Sequence, residues 1–211
     1  MTLHVESRSF GAGQRIPERH AFGVPCDGRA APEGGNVSPH LRWSGVPQGT
    51  RSFAVACIDE DVPAEQERMN RDDETIPKDA PRRRFAHWLV ADLPAGKTEI
   101  PEGAASEAID PGGKPTGETA FGGRTGANGY TEFFAGDPEM AGTYGGYDGP
   151  FPPWNDERTH RYRFRVYALD TPSLDLPDDF GLEQFSEALE GHVLDEGELA
   201  ADYSTKRDPA T

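Results

Sequence analysis

Three stretches of the chain carry the hydrophobic patterning of β-strands. Arg51–Ile58 (RSFAVACI) is almost wholly apolar and is bounded by Gly49 and an acidic turn, as expected of a strand buried on both faces. Phe85–Leu93 (FAHWLVADL) is a second such run, stopped by Pro94-Ala95-Gly96. Tyr162–Leu169 (YRFRVYAL) alternates: Tyr162, Phe164 and Val166 face one way, Arg163 and Arg165 the other. Helical spacing is concentrated near the C-terminus, where Leu182, Phe185 and Leu189 recur through GLEQFSEALEG and Gly191 is placed to end the helix. A second short helical stretch is expected in HVLDEGELAADY. Two segments follow neither period. Residues 64–84 are strongly charged, contain Pro77 and Pro81, and read as an exposed loop; residues 103–149 are Gly-rich with scattered aromatics and no strand pattern. The chain is therefore expected to be a single, mainly β domain over residues 1–211, a β-sandwich with a few peripheral helices, one of them C-terminal.

Composition adds one strong constraint. Asp and Glu number 37 against 21 Lys and Arg, a net charge of −16, and the excess is spread along the chain. Such a surface repels phosphate backbones and anionic lipid headgroups, which argues against nucleic-acid binding and integral or peripheral membrane contact. An acidic, Lys-poor surface fits a halophilic source, where salt screens the self-repulsion, and equally an ordinary acidic protein. The N-terminal MTLHVESRSFGAG has neither a basic nor an apolar signal region, and the longest apolar runs are strand-sized. Cys57 lies inside an apolar run and reads as a buried free thiol; with Cys26 it makes no disulfide framework, so a cytoplasmic location is expected.

Candidate chemistry sits at the strand ends. If the first strand stays extended, Asp59 and Asp61 share a face and Glu60 takes the other; two adjacent carboxylates then need cationic partners or a proton. A solvated acidic turn closed by Pro63 is the plain alternative. His87 is expected to share its face with Phe85 and Leu89, and His160 to share one with Tyr162 and Phe164. Each histidine taken alone reads more readily as a satisfied core residue than as a functional one. In Tyr144–Pro153 (YGGYDGPFPP) the prolines exclude a regular strand, and Gly145, Gly146 and Gly149 let backbone approach a ligand closely, so the stretch reads as an irregular pocket wall or a linker.

Taken in order, these motifs resemble the phosphatidylethanolamine-binding protein family, in its prokaryotic, Raf-kinase-inhibitor-like branch. The resemblance runs from Phe10, Ile16 and Pro17 through Asn36-Val37-Ser38-Pro39-His40-Leu41-Arg42-Trp43, Asp59-Glu60-Asp61-Val62-Pro63 and His87-Trp88. It continues through Gly149-Pro150-Phe151-Pro152-Pro153, His160-Arg161-Tyr162 and Gly191-His192-Val193-Leu194 to Tyr203. Three residues depart from the family pattern: Glu60 stands for Pro, Val62 for Ala, and Phe151 for a frequent Cys. Glu60 is expected to add a negative charge beside the pocket.

The resemblance implies a small pocket for phosphate-like anions, with Asp59, Asp61, His87, Tyr147, Gly149, Pro150, Pro152, His160 and Tyr162 as ligand-binding residues. It implies a non-enzymatic binding or regulatory protein with no cofactor, taking a small anionic or zwitterionic ligand such as phosphate or a phosphoethanolamine-like molecule, with a protein partner and a homodimer as further expectations. The competing reading is a metal-dependent or acid–base hydrolase built on the Asp/His cluster; no tight metal-ligand spacing and no Gly-x-Ser-x-Gly elbow supports it. With His87 and His160 as anion donors, affinity is expected to fall as pH rises through roughly 7 to 8.

Overall fold

The two apolar runs form the longest strands of the molecule. The computed structural model describes residues 2–206. In chain order its strands are β1 (His4–Glu6), β2 (Val24–Cys26), β3 (Arg29–Ala31), β4 (Leu41–Ser44), β5 (Ser52–Pro63), β6 (Arg82–Pro94), β7 (Glu99–Ile100), β8 (Gly113–Lys114), β9 (Gly117–Glu118), β10 (Arg124–Thr125), β11 (Thr143–Tyr144), β12 (His160–Leu169) and β13 (Val193–Tyr203). Its helices are α1 (Tyr130–Phe133) and α2 (Leu182–Leu189). Six strands form one sheet in the order β13-β12-β5-β6-β10-β9, and β1-β4-β7 form a second.

The two sheets close on a shared core. Trp43, Leu41 and Val5 from the small sheet meet Phe53, Val55, Cys57, Trp88, Phe164 and Val166 from the large one. The other face of β5, β6 and β12 is also covered, with Ala54, Ala56, Leu89 and Leu169 packing under Phe180, Phe185 and Leu189 of the α2 region. Burial on both faces is why β5 and β6 read as continuous apolar runs. Past Leu189, Gly191 (φ +80°) turns the chain out of α2. No helix among the described residues is long and apolar enough to cross a membrane.

The helical stretch expected in HVLDEGELAADY is not formed; this segment is β13. Leu199, Ala201 and Tyr203 fall on alternate positions and all enter the core, while the strand pairs with β12 from His160↔Tyr203 to Leu169↔Val193. Period-two burial along a ready partner outweighs the helix propensity of Glu, Leu and Ala. The free edge of β13 is shielded by the N-terminal segment, where Gly13 N–H donates to Ala200 O (2.8 Å) and Ile16 N–H to Asp202 O (2.9 Å). The two irregular segments are ordered too. Residues 103–149 hold β8 to β11 and α1, and the last residues of the 64–84 stretch already belong to β6.

On the outer face of the sheet Glu60 points away from the interior, so it adds no charge to the pocket. Arg163 meets Glu60 (3.1 Å) and Glu198 (2.7 Å), and Arg165 meets Glu60 (3.1 Å) and Glu198 (2.9 Å), closing a four-membered charge ring. Half-exposed pairs of this kind contribute little each. Arg163→Ala should lower the unfolding free energy by less than about 1 kcal/mol in urea titrations.

Candidate functional site

Two strand irregularities build the site. Along β5 and β6 the pairing steps from Cys57↔Trp88 to Ile58↔Ala86, so His87 is an extra residue opposite β5. This bulge lets consecutive residues face inward together, Trp88 into the core and His87 into a cavity. It also separates His87 from Leu89, which packs beneath α2 rather than on the histidine's face. The second irregularity lies between Asp59↔Phe85 and Val62↔Arg83. It leaves Asp59 facing inward and carries Asp61 out of the cavity, where its carboxylate takes Arg158 Nη1–H (2.7 Å) and Arg161 N–H (3.0 Å). The two aspartates therefore do not share a face beyond the bulge.

The cavity floor is a buried chain of charges. His160, fully buried at the start of β12, has Asp59 Oδ2 on Nδ1 (2.6 Å) and Asp156 Oδ2 on Nε2 (3.1 Å). Carboxylates only accept, so both ring nitrogens carry protons and the ring is an imidazolium. Burial opposes that charge, but the Asp59 and Asp156 carboxylates overcome it and raise the pKa to about 9. Burial likewise opposes ionisation of Asp156, and hydrogen bonds from His160 and Arg82 hold it down at about 2. Arg82 completes the chain with a bidentate contact to Asp156. Asp59, 1% exposed, is held below the usual carboxylate range in spite of burial by His160.

His87 is tuned the opposite way. Its Nδ1–H donates to Asp148 O (2.7 Å), and Nε2 has no partner among the described residues. Burial outweighs the nearby Asp59 charge and lowers its pKa, so the ring is neutral and Nε2 is an acceptor. Tyr162 Oη is buried and likewise unpartnered among the described residues. The expected titration of both histidines near pH 7 to 8 therefore divides, upward to about 9 for His160 and below 6.5 for His87.

The cavity, of about 30 Å³, is lined by Asp59, His87, His160, Tyr162 and Pro152 among the expected residues. Asp61, Tyr147, Gly149 and Pro150 lie outside it. Tyr147 is a core residue whose hydroxyl donates to His20 O (2.7 Å). Pro150 O accepts Phe22 and Gly23 N–H (both 3.0 Å). Gly149 is required by the protein's own backbone rather than by a ligand, because a Cβ there would lie 2.1 Å from His20 O. The wall containing these residues is held from behind. Asn36 donates to Asp148 Oδ1 (2.8 Å) and accepts from Gly149 N–H (2.8 Å), while Lys114 (2.7 Å) and Asn128 (2.8 Å) complete the shell of the Asp148 carboxylate.

Several residues of the site gave no signal in the sequence, among them Asp156 behind the cavity and most of its apolar lining. Asp156 precedes His160 by four residues and looks like any turn aspartate. Val62, Met69, Phe85, Tyr130, Phe133, Phe151 and Pro153 form apolar walls. Among the described residues no group of three or more His, Cys, Asp or Glu side chains is arranged to hold a metal ion. The lining also contains no Ser, Thr, Cys or Lys to act as a nucleophile.

The family model for phosphatidylethanolamine-binding proteins matches residues 6–204. The chain belongs to this family. Its relatives include a UPF0098 protein of Methanothermobacter thermautotrophicus, 33% identical over 95% of this chain and 98% of that one. The Escherichia coli UPF0098 protein YbhB is 30% identical over 96% of this chain and its own full length. Among solved structures, E. coli YbcL, described as a member of the mammalian family, superposes with a TM-score of 0.69 at 26% identity, covering 98% of this chain and 100% of YbcL. A homologue from Chlamydia trachomatis, CT736, gives 0.63 at 26% identity, covering 98% and 99%. Membership makes this phosphatidylethanolamine-binding family protein a binding-type molecule. It also agrees with the mainly β fold.

Proposed function

We propose that this protein is a non-enzymatic binding module whose pocket takes a small phosphate-type head in a partly protonated form, such as a phosphate monoanion or a zwitterionic phosphoethanolamine. One observation carries the reading: Tyr162, whose buried Oη has no hydrogen-bond partner, and His87, whose Nε2 is an open acceptor, line the same cavity. A head bearing both an anionic oxygen and a hydroxyl satisfies both groups. The dianion of a monoester satisfies only the donor, and any phosphate dianion brings a second negative charge to the Asp59 carboxylate. His160 acts by holding Asp59 in place, since both of its N–H groups are already donated.

Calorimetry with inorganic phosphate in molar salt tests this. Affinity should fall as pH rises through the ligand's second ionisation, at about 6 to 7, because the dianion, although it keeps one hydroxyl, brings a second negative charge toward the Asp59 carboxylate. Tyr162→Phe should weaken binding about tenfold or more, the worth of a hydrogen bond to a charged acceptor. Arg163→Ala, on the far face of the sheet, should leave it unchanged. Affinity that rises with pH, or that ignores Tyr162→Phe, refutes the reading.

A further inference from the structure

A second, larger cavity lies between α1 and α2. It measures about 310 Å³, within the size range of ligand sites, and Arg83 and Arg84 of β6 line it together with Thr131 and Glu132 of α1. Arg84, Glu132, Gly181, Leu182 and Gln184 also line an adjoining groove of about 690 Å³, which runs along α2 past Glu183, Glu187 and Glu190. Cavity and groove thus form one trough.

The two ends of the trough carry opposite charge. Arg82 is spent on Asp156, but Arg83 and Arg84 make no ion pair with any described residue. The Arg83 guanidinium lies 5.8 Å from the Phe85 ring centroid instead. Acids outnumber bases 37 to 21, so carboxylates are not scarce, yet these two neighbouring arginines are left without one. Glu132 and Asp179, which line the same cavity, are both exposed and free to turn toward water. The positive end of the α2 dipole faces the cavity and favours an anion there too. Along the groove the sign reverses. Glu183, Glu187 and Glu190 are exposed, share one helix face by their spacing, and have no cationic partner among the described residues. They span roughly 10 Å at 1.5 Å per residue, the reach of about three residues of extended peptide.

We propose that this trough docks the basic C-terminus of a partner protein. The terminal carboxylate sits on Arg83 and Arg84, and Lys or Arg side chains just before it meet Glu183, Glu187 and Glu190. An arginine pair holds a carboxylate through directed, charge-assisted hydrogen bonds, which fixes where the partner chain ends. The glutamates select basic residues and repel acidic ones. A polyamine would match the glutamates and leave the arginines unmet, and a nucleic-acid phosphate would do the reverse.

The test compares one sequence with two ends. Acetyl-Lys-Lys-Lys-Ala is titrated calorimetrically into the whole chain, as the free acid and as the C-terminal amide, in about 0.15 M salt. Bulk attraction to a protein of charge −16 favours the amide, which has the higher positive charge. The site favours the free acid, by about tenfold, the scale of a hydrogen bond between charged groups. Replacing both arginines, Arg83→Ala with Arg84→Ala, should abolish or reverse that preference. Replacing the three glutamates, Glu183→Gln with Glu187→Gln and Glu190→Gln, should weaken both forms about fivefold and leave their ratio unchanged. An unchanged melting temperature checks that each variant folds. An amide that binds as tightly as the acid overturns the proposal, because bulk charge alone then accounts for binding. So does a preference for the acid that survives the loss of both arginines, or an affinity indifferent to the three glutamates. Absence of binding by both forms overturns it outright.

Discussion

Asp156→Asn should lower the unfolding free energy by about 3–5 kcal/mol, the usual consequence of removing one partner from a buried ion network. The substitution leaves His160 and Arg82 with one fewer counter-charge in a site where Asp59, Asp156 and His160 are each at most 1% exposed and the Arg82 side chain only 9%. Its pH signature separates it from an ordinary core defect. His160 titrates at about 9 in the folded chain, above an unfolded value near ~6.5. The stability it contributes, about 3 kcal/mol at 1.36 per unit, is fully present below that unfolded value and is lost as pH rises through about 9. Asp156 has the opposite sign. Its folded pKa of about 2 lies below the unfolded value, so its contribution holds above about pH 4 and is lost as pH falls through 2. Urea unfolding of the wild type should show both limbs. In Asp156→Asn the acid limb should shrink and the alkaline limb should weaken. Parallel pH profiles for the two proteins would mean that the His160–Asp156 contact contributes nothing to folding.

Gly149→Ala should be at least as damaging, costing about 3 kcal/mol or more. The added Cβ would lie 2.1 Å from His20 O and 2.9 Å from Ala21 Cα, and both are backbone atoms that no rotamer change can move. Relief would have to shift a segment that also carries Tyr130 Oη–H donating to Gly149 O (2.8 Å) and Asn36 accepting from Gly149 N–H. Thermal unfolding measures the cost. Because Asp148 next to it holds His87 through its carbonyl, phosphate binding in any folded Gly149→Ala protein should fall with stability. A variant as stable as the wild type would show that this wall is free to move.

The strands and the family were readable in one dimension, because each depends on local pattern. Arg51–Ile58 and Phe85–Leu93 are apolar enough to announce burial on both faces, and the alternation of Tyr162, Phe164 and Val166 against Arg163 and Arg165 is what β12 buries and exposes. The order of the motifs, from Asn36 through His87-Trp88 to His160-Arg161-Tyr162, sufficed for the family. The same periodicity misled wherever the ladder breaks. Strict alternation puts His87 with Leu89 and Asp59 with Asp61, yet one inserted residue in each strand reverses both pairings. A bulge leaves no compositional mark, since it comes from how two strands share a core. β13 was missed for a related reason: its helix-forming letters were overruled by a long-range partner, β12.

The polarity of the pocket lies further still from the linear chain. Asp59 and His160 are 101 residues apart, and Arg82 and Asp156 are 74 apart, so their charges meet only after the sheet has formed. That meeting makes His160 a saturated cation and leaves His87, a residue of the same type in a similar strand context, neutral with an open nitrogen. Residue type proposes a histidine. Burial and the nearest opposite charge decide which proton it keeps, and both are properties of folded space.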